Sequence, residues 1–272
     1  MIDEETIEAI ATDLARSFGT GLRPQRITEQ FPGFSLDDGH AVADRLCALR
    51  EARGEIPVGR KIGATNRVMW EVLGMSAPMW GFMFDTTVAD LPGGKGSTEL
   101  GNFWQPRIEP EIAFRLAAAP RAGMDEAELL GCIDGIAHGF ELVHSPFSDW
   151  KVGAPDASAA YGLHMRLLLG PWHDTAVDRL SWIEMLRDFV VTLSCSDGVE
   201  RQGVGGNVLG SPLVALKFLV DDLAAHPHRA PLRAGEIITT GTLTEAMPVQ
   251  KGQTWKTSIG GAPLEGLRLD LR

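Results

Sequence analysis

Two glutamates two residues apart carry the first chemical signal. In the stretch 106–116 (PRIEPEIAFRL), Ile108, Pro110, Ile112, Phe114 and Leu116 alternate with Glu109, Glu111 and Ala113. Period-two alternation predicts a strand, and on a strand both carboxylates leave from one face. Their Cα atoms then lie roughly 6.5–7 Å apart, near enough for two long side chains to converge on one cation. A second run, 135–143 (GIAHGFELV), holds one acid, Glu141, among mainly apolar residues. A carboxylate in a buried strand is costly unless it is paired or meets a cation. Acids at such spacing are most often plain solvated surface. The small neighbours Ala113 and Ala137, and the isolation of Glu141, argue for a site instead. Three carboxylates without cysteine make a hard oxygen set that suits Mg²⁺ or Mn²⁺. Lys61, in 58–63 (VGRKIG), is the candidate to balance the remaining charge. A lysine beside such an ion can hold a substrate carboxylate or move a proton. It reads equally well as an edge-strand lysine that blunts aggregation.

The elements that must position these residues are legible as a pattern. Residues 3–18 and 35–53 predict helices. The second opens on Ser35 as N-cap with acids in its first turn, carries Ala41, Val42, Leu46 and Leu49 at helical spacing, and stops at Gly54. Beyond residue 55 the texture changes to short β-like runs broken by Gly and Pro. Strands are expected at 57–62, 80–84, 107–116, 135–143, 163–170, 188–196, 236–241, 254–259 and 266–271. Helices are expected at 66–73, closed by Gly74, and at 125–132. Asp197-Gly198 predicts a tight hairpin turn. Ser211-Pro212 opens the clearest late helix, through residue 225, with a hydroxyl N-cap and Pro in the first turn. The chain reads as α+β: an N-terminal helical part, residues 1–55, and a β-rich body of about ten strands, residues 56–272. Irregular strand–helix alternation favours a packed sandwich or roll over a parallel sheet.

Composition narrows the function classes. The 272 residues are 44% hydrophobic and 22% charged, an ordinary balance for a folded globular chain. Lys plus Arg number 25 and Asp plus Glu 36, a net charge of −11. That is a poor match to nucleic-acid binding, which needs clustered cations. No basic run marks a membrane surface, and no segment approaches 18 apolar residues. Cys47, Cys132 and Cys195 are scattered, without the spacing of a zinc or redox motif. The acidic N-terminus lacks the apolar core of a signal peptide, so a cytoplasmic location is expected. There is no G-x-G-x-x-G, Walker A, H-E-x-x-H or G-x-S-x-G pattern, which disfavours nicotinamide, ATP, zinc-protease and serine-hydrolase chemistry.

Taken in order, the stretches 58–66 (VGRKIGATN), 73–75 (LGM), 80–85 (WGFMFD), 106–114 (PRIEPEIAF), 140–145 (FELVHS), 149–151 (DWK), 203–212 (GVGGNVLGSP) and 232–241 (LRAGEIITTG) form a series. The series resembles the 2-keto-4-pentenoate hydratase branch of the fumarylacetoacetate hydrolase superfamily, over nearly the whole chain. The resemblance implies a mixed β-roll or sandwich body with an N-terminal helical extension, assembled as a homo-oligomer. It implies a divalent metal, Mg²⁺ or Mn²⁺, held by Glu109, Glu111 and Glu141. Lys61 and Asp85 are then the candidate catalytic residues. Tyr161, His164 and Ser211 are candidate substrate-binding residues, although a packed core histidine is the blander reading of His164. The chain departs from the family at Phe82, Ser145-Pro146 and Ala160-Tyr161, positions that the resemblance places around the substrate.

The chemistry so implied is enolate formation from a 2-oxo acid, through which a 2-hydroxy-2,4-dienoate gains water at C4 and a proton at C3. Three alternatives share the site: decarboxylation of a 2-oxo-3-enedioate, C–C hydrolysis of an acylpyruvate, and a catalytically silent metal-binding scaffold. Residues 145–162 are expected to read the substrate tail. Trp80, Trp104 and Trp150 are candidates for an apolar wall, against a background in which large aromatics are more often core.

Overall fold

The computed structural model describes residues 2–67, 70, 77–176 and 178–272. Most of the helix expected at 66–73, its Gly74 stop and the LGM stretch fall on residues outside this set. Helices α1 (Glu4–Ser17), α2 (Ile27–Gln30) and α3 (Leu36–Glu51) come first. Asp3 caps α1 by accepting from the Thr6 backbone N–H. Ser35 and Asp38 close the reciprocal capping box of α3. The apolar faces of α1 and α3 (Ile10, Leu14, Val42, Leu46) share one cluster with Met79, Phe84, Phe147 and Tyr161 of the body.

The body holds β1 (Pro57–Gly63), β2 (Met79–Phe84), β3 (Val88–Asp90), β4 (Lys95–Thr98), β5 (Arg107–Leu116), α4 (Glu126–Gly131), β6 (Ile133–Val143), α5 (Ala154–Ala159), β7 (His164–Leu169) and β8 (His173–Asp174). Then follow α6 (Ser181–Asp188), β9 (Val190–Cys195), β10 (Glu200–Val204), α7 (Pro212–Ala225), β11 (Ile237–Thr242), β12 (Met247–Pro248), β13 (Thr254–Gly260) and β14 (Arg268–Leu271). The strands beyond the expected set are short (β3, β4, β8 and β12) or follow the expected hairpin (β10). That hairpin is not the two-residue kind. The Cys195 N–H donates to the Val199 carbonyl, and only Gly198 takes positive φ, at 92°. The result is a three-residue loop with glycine at its left-handed position.

The larger sheet runs β2-β1-β11-β5-β6-β7-β3, with β12 on β5 and β8 on β6; the smaller runs β10-β9-β13-β14-β4. Most pairs are antiparallel, while β1–β11, β3–β7 and β14–β4 are parallel. The β5 alternation sorts the two faces of the large sheet. Ile112, Phe114 and Leu116 pack with Leu213, Leu216 and Leu219 of α7. Ile108 joins Phe140, Leu193, Trp255 and Leu269 between the two sheets. The opposite face curls inward over Met83, Ala113, Ala137, Leu167 and Leu169, and the acids lie on that inner face.

Candidate active site

Register brings the three carboxylates together. Glu109 pairs with Glu141 across the β5–β6 ladder, and Glu111 pairs with Gly139. All three therefore stand on the inner face, and one carboxylate oxygen from each lies within 4.8 Å of the others. Glu111 is further tied to β11. The β5–β11 register breaks between Thr239 and Thr242. Inside that irregularity Gly241, at φ 100°, donates its N–H to Glu111 Oε2 at 3.0 Å. A Cβ there would stand 2.0 Å from Thr65 Oγ1, so the position demands glycine for space as well as for φ.

Lys61 is 2% exposed and sits on β1 between β2 and β11, so it is no edge-strand residue. Its Nζ lies 3.2 Å from Glu141 Oε2 and donates to the Gly162 carbonyl at 3.0 Å. That carbonyl belongs to a left-handed turn, with φ of 58° at Tyr161, 63° at Gly162 and 65° at Leu163. Two non-glycine residues in this region mark local strain held by the surrounding packing. Gly81 makes the turn possible, since a Cβ on it would meet the Tyr161 carbonyl oxygen at 2.2 Å.

The charges are strongly coupled. Burial pushes the Glu109 carboxyl up, to about 7, against the pull of Lys61. Burial and its two acidic neighbours hold Glu111 well above the usual range. Glu141 goes the other way: burial opposes its ionisation, but Lys61 and the His164 hydrogen bond outweigh burial. Burial likewise opposes the charge on Lys61, and the three carboxylates more than offset it, so the ammonium is held charged. When all three acids are ionised, one ammonium leaves two negative charges uncompensated in a buried cluster. Among the described residues Glu111 Oε1 is buried without a hydrogen-bond partner, and Glu141 Oε2 has only its ion pair with Lys61. A donor set of carboxylate oxygens with an orphaned Glu111 oxygen and excess negative charge fits a hard divalent cation.

Other expected residues fall elsewhere. Asp85 is exposed; it donates its N–H to the Ile56 carbonyl and accepts the Ile56 N–H at 2.9 Å, extending the β1–β2 ladder beyond its Pro57–Phe84 end. The Tyr161 side chain is buried with Phe18 and Phe84 under the Arg50 guanidinium, and only its backbone serves the site. Burial pushes its phenol up. Ser211 is committed as the α7 N-cap, accepting from the Leu213 N–H. His164 is 1% exposed and reaches Glu141, not the pocket. Phe82 lies beside Trp80 with Arg60, on the opposite side of β1 and β2 from Lys61. The Ser145 hydroxyl donates to the Asp149 carbonyl within its own loop.

A cavity of about 470 Å³ opens onto the cluster, and Lys61 and Glu109 form part of its wall. Trp150, Val152, Ala157 and Gly162, from the 145–162 stretch, line it. Trp80 instead stacks on His40 in the interior, and Trp104 is 38% exposed beneath Arg23. Sequence reasoning missed Arg107, Thr65 and the segment Thr242–Ala246 of the wall. Arg107 shares the Glu109 face two residues earlier, so strand parity could have found it. Its guanidinium carbon lies 4.1 Å from the Trp150 ring centroid. The 242–246 segment carries no local signal, because only the fold returns it to β5.

Comparison with known proteins follows the same lines. Residues 80–267 match the family described as Fumarylacetoacetate (FAA) hydrolase C-terminal. A 2-hydroxyhexa-2,4-dienoate hydratase of Comamonas testosteroni is 28% identical over 263 residues, covering 96% of each chain. A 2-keto-4-pentenoate hydratase of Paraburkholderia xenovorans (strain LB400) is 30% identical over 258 residues, covering 93% of this chain and 91% of the relative. The solved 4-oxalocrotonate decarboxylase from Pseudomonas putida G7, complexed with magnesium and adipate, superposes with a TM-score of 0.90 over 100% of this chain and 99% of its own. At 24% identity that likeness shows the fold.

Proposed function

The chain belongs to the fumarylacetoacetate hydrolase family, and from that premise we propose that it is a divalent-metal-dependent hydro-lyase adding water to a 2-hydroxy-2,4-dienoate. The observation that carries this reading is the buried trio Glu109, Glu111 and Glu141, with Lys61 beside it and a substrate-sized cavity above. The hydratase names of two relatives, each spanning more than nine-tenths of its length, support it.

The three glutamates would hold Mg²⁺ or Mn²⁺. When bound, such an ion supplies Lewis-acid stabilisation of negative charge on the substrate's 2-oxo oxygen. Lys61 presents a charged ammonium at the pocket wall, oriented by Gly162 and Glu141. It orients the substrate carboxylate and carries a proton during the shift from the 2-hydroxydienoate to the 2-oxo-3-ene. Water then adds at C4 and a proton at C3, giving a 4-hydroxy-2-oxoalkanoate. Val143, Val152 and Leu163 give the cavity an apolar wall that limits competing water. The reading further takes the protein as a cytoplasmic homo-oligomer of aromatic catabolism.

Arg107 favours one second reading. Among the described residues it makes no ion pair, although it lines the cavity. A guanidinium there suits a far carboxylate. That fits decarboxylation of a 2-oxo-3-enedioate, with CO₂ leaving in place of water adding. C–C hydrolysis has less support, because both ring nitrogens of His164 already have partners, Glu141 and Thr87.

The test is a product assay. Chelator-stripped protein meets 2-hydroxypenta-2,4-dienoate and 2-oxohex-3-enedioate, each with and without Mg²⁺ or Mn²⁺. The expected result is metal-dependent loss of the diene with 4-hydroxy-2-oxopentanoate appearing. CO₂ from the diacid, with the monoacid untouched, moves the assignment to the decarboxylase. Turnover unaffected by chelator, or intact in Glu109→Gln, overturns both.

A further inference from the structure

We propose that Thr87 and His164 are positioning residues that fix which oxygen of Glu141 faces the cluster, and thereby set how tightly the site takes a divalent cation. This rests on the metal reading above and assigns a role to two residues that are not part of the cavity wall.

Glu141 is fully buried and its two oxygens have different neighbours. Oε1 lies 2.7 Å from His164 Nδ1. Oε2 lies 3.2 Å from Lys61 Nζ, its one polar neighbour by ion pair or hydrogen bond among the described residues. A carboxylate oxygen accepts, so Nδ1 carries the ring proton. The other ring nitrogen, Nε2, lies 2.9 Å from Thr87 Oγ1. That hydroxyl accepts the Phe84 N–H at 3.1 Å and has a single proton of its own. Its proton can go to the Phe84 carbonyl, also at 3.1 Å, or to Nε2. Donated to Nε2, it leaves a neutral imidazole whose Nδ1–H is directed at Glu141. The ring is then pinned at both ends, and at 1% exposure no bulk water competes for it.

Three chain segments build this arrangement. Glu141 comes from β6. His164 begins β7 directly after the left-handed turn 161–163, and its N–H closes that turn onto the Tyr161 carbonyl. Thr87 sits in the turn between β2 and β3. Its carbonyl accepts the Leu167 N–H at 2.8 Å, and the parallel β3–β7 pairing starts at Val88 opposite Leu167. The backbone therefore sets the ring position, and the ring sets the carboxylate. Without it the terminal torsion of Glu141, which is intrinsically broad, loses its restraint. Outer partners of this kind orient the groups that meet a metal.

The experiment is an Mn²⁺ titration followed by electron paramagnetic resonance, on purified, chelator-stripped full-length protein. Wild type is compared with His164→Ala, His164→Asn, Thr87→Val and Thr87→Ser, each checked for folding by circular dichroism. Mn²⁺ binding to His164→Ala weakens about 10–100-fold. His164→Asn keeps an N–H donor near the Nδ1 place and recovers most of the affinity. Thr87→Val weakens binding by a smaller factor, and Thr87→Ser binds as wild type does. A folded His164→Ala or Thr87→Val with wild-type affinity overturns the proposal, since a packing role would move stability and leave the affinity alone. If His164→Ala does not fold, the Thr87→Val and Thr87→Ser pair decides in the same way. Wild type that takes up no Mn²⁺ overturns the metal reading and this one together; wild-type uptake with indifferent variants overturns only this one.

Discussion

The Lys61 ammonium stands 3.2 Å from Glu141 Oε2, both groups almost wholly buried, although 80 residues separate them in the chain. A charge pair in the interior is costly to break by removing one partner. Lys61→Met leaves the acids without their ammonium but still able to take a cation. Turnover should fall by about 10²–10⁴-fold, as for loss of a proton-moving group, while Mn²⁺ binding persists. Retained turnover in a folded Lys61→Met variant removes the lysine from the chemistry.

Metal should act as a ligand of the folded state. At a concentration of 100 times its dissociation constant, Mg²⁺ or Mn²⁺ should add about 2.7 kcal/mol to stability, a rise of several degrees in the unfolding midpoint. Glu111→Gln removes a buried carboxyl whose Oε1, among the described residues, has no partner. The metal-induced rise should then largely vanish, while the metal-free midpoint stays the same or increases. Differential scanning calorimetry with and without chelator reads both.

Arg107 separates the two substrate readings. If the natural substrate carries a far carboxylate, Arg107→Met should raise KM for 2-oxohex-3-enedioate by about 10–100-fold, the scale of a charged hydrogen bond. KM for 2-hydroxypenta-2,4-dienoate should barely change. Equal KM shifts for both substrates would place Arg107 in general electrostatics and not in tail recognition.

Backbone approach at Gly81 is a separate check on the geometry that holds Lys61. A methyl on Gly81 collides with the carbonyl of Tyr161, so the left-handed turn must shift and carry Gly162 away from the ammonium. Gly81→Ala should lower stability by about 1–3 kcal/mol or more and reduce turnover well beyond that effect. Urea titration alongside steady-state rates measures the two together.

Acid should weaken the fold through buried neutral histidines. Burial first, then the nearby charge of Arg229, lowers His40 to about 3. Burial lowers His144, packed edge-on against Phe18 and Phe103, to about 4. Above pH 6.5 both are neutral in the folded and unfolded chains and have no effect. As pH falls from 6.5 toward 4, the unfolded chain binds protons that the folded one refuses, so stability drops. A His144→Phe variant should show a shallower loss over that window in thermal melts; an unchanged slope would remove His144 from the acid response.

Much of this was legible in the residues themselves. The alternation of 107–116 determined that Glu109 and Glu111 share a face, because side chains on a strand alternate whatever lies beside it. Local chemistry likewise marked the Ser35 and Ser211 caps, since a cap is an interaction among neighbours in the chain. What lies across a ladder is decided otherwise. The pairing of Glu109 with Glu141, the burial of Lys61 on an interior strand and the return of Thr242–Ala246 to the pocket all depend on register between distant segments. Asp85 and Thr87 show the limit most clearly. Both follow β2 within three residues, yet one turns outward to Ile56 and the other inward to His164. Composition and spacing treat them alike. Their directions come from the turn geometry and from the parallel seating of β3 on β7, which the packing of the whole roll imposes.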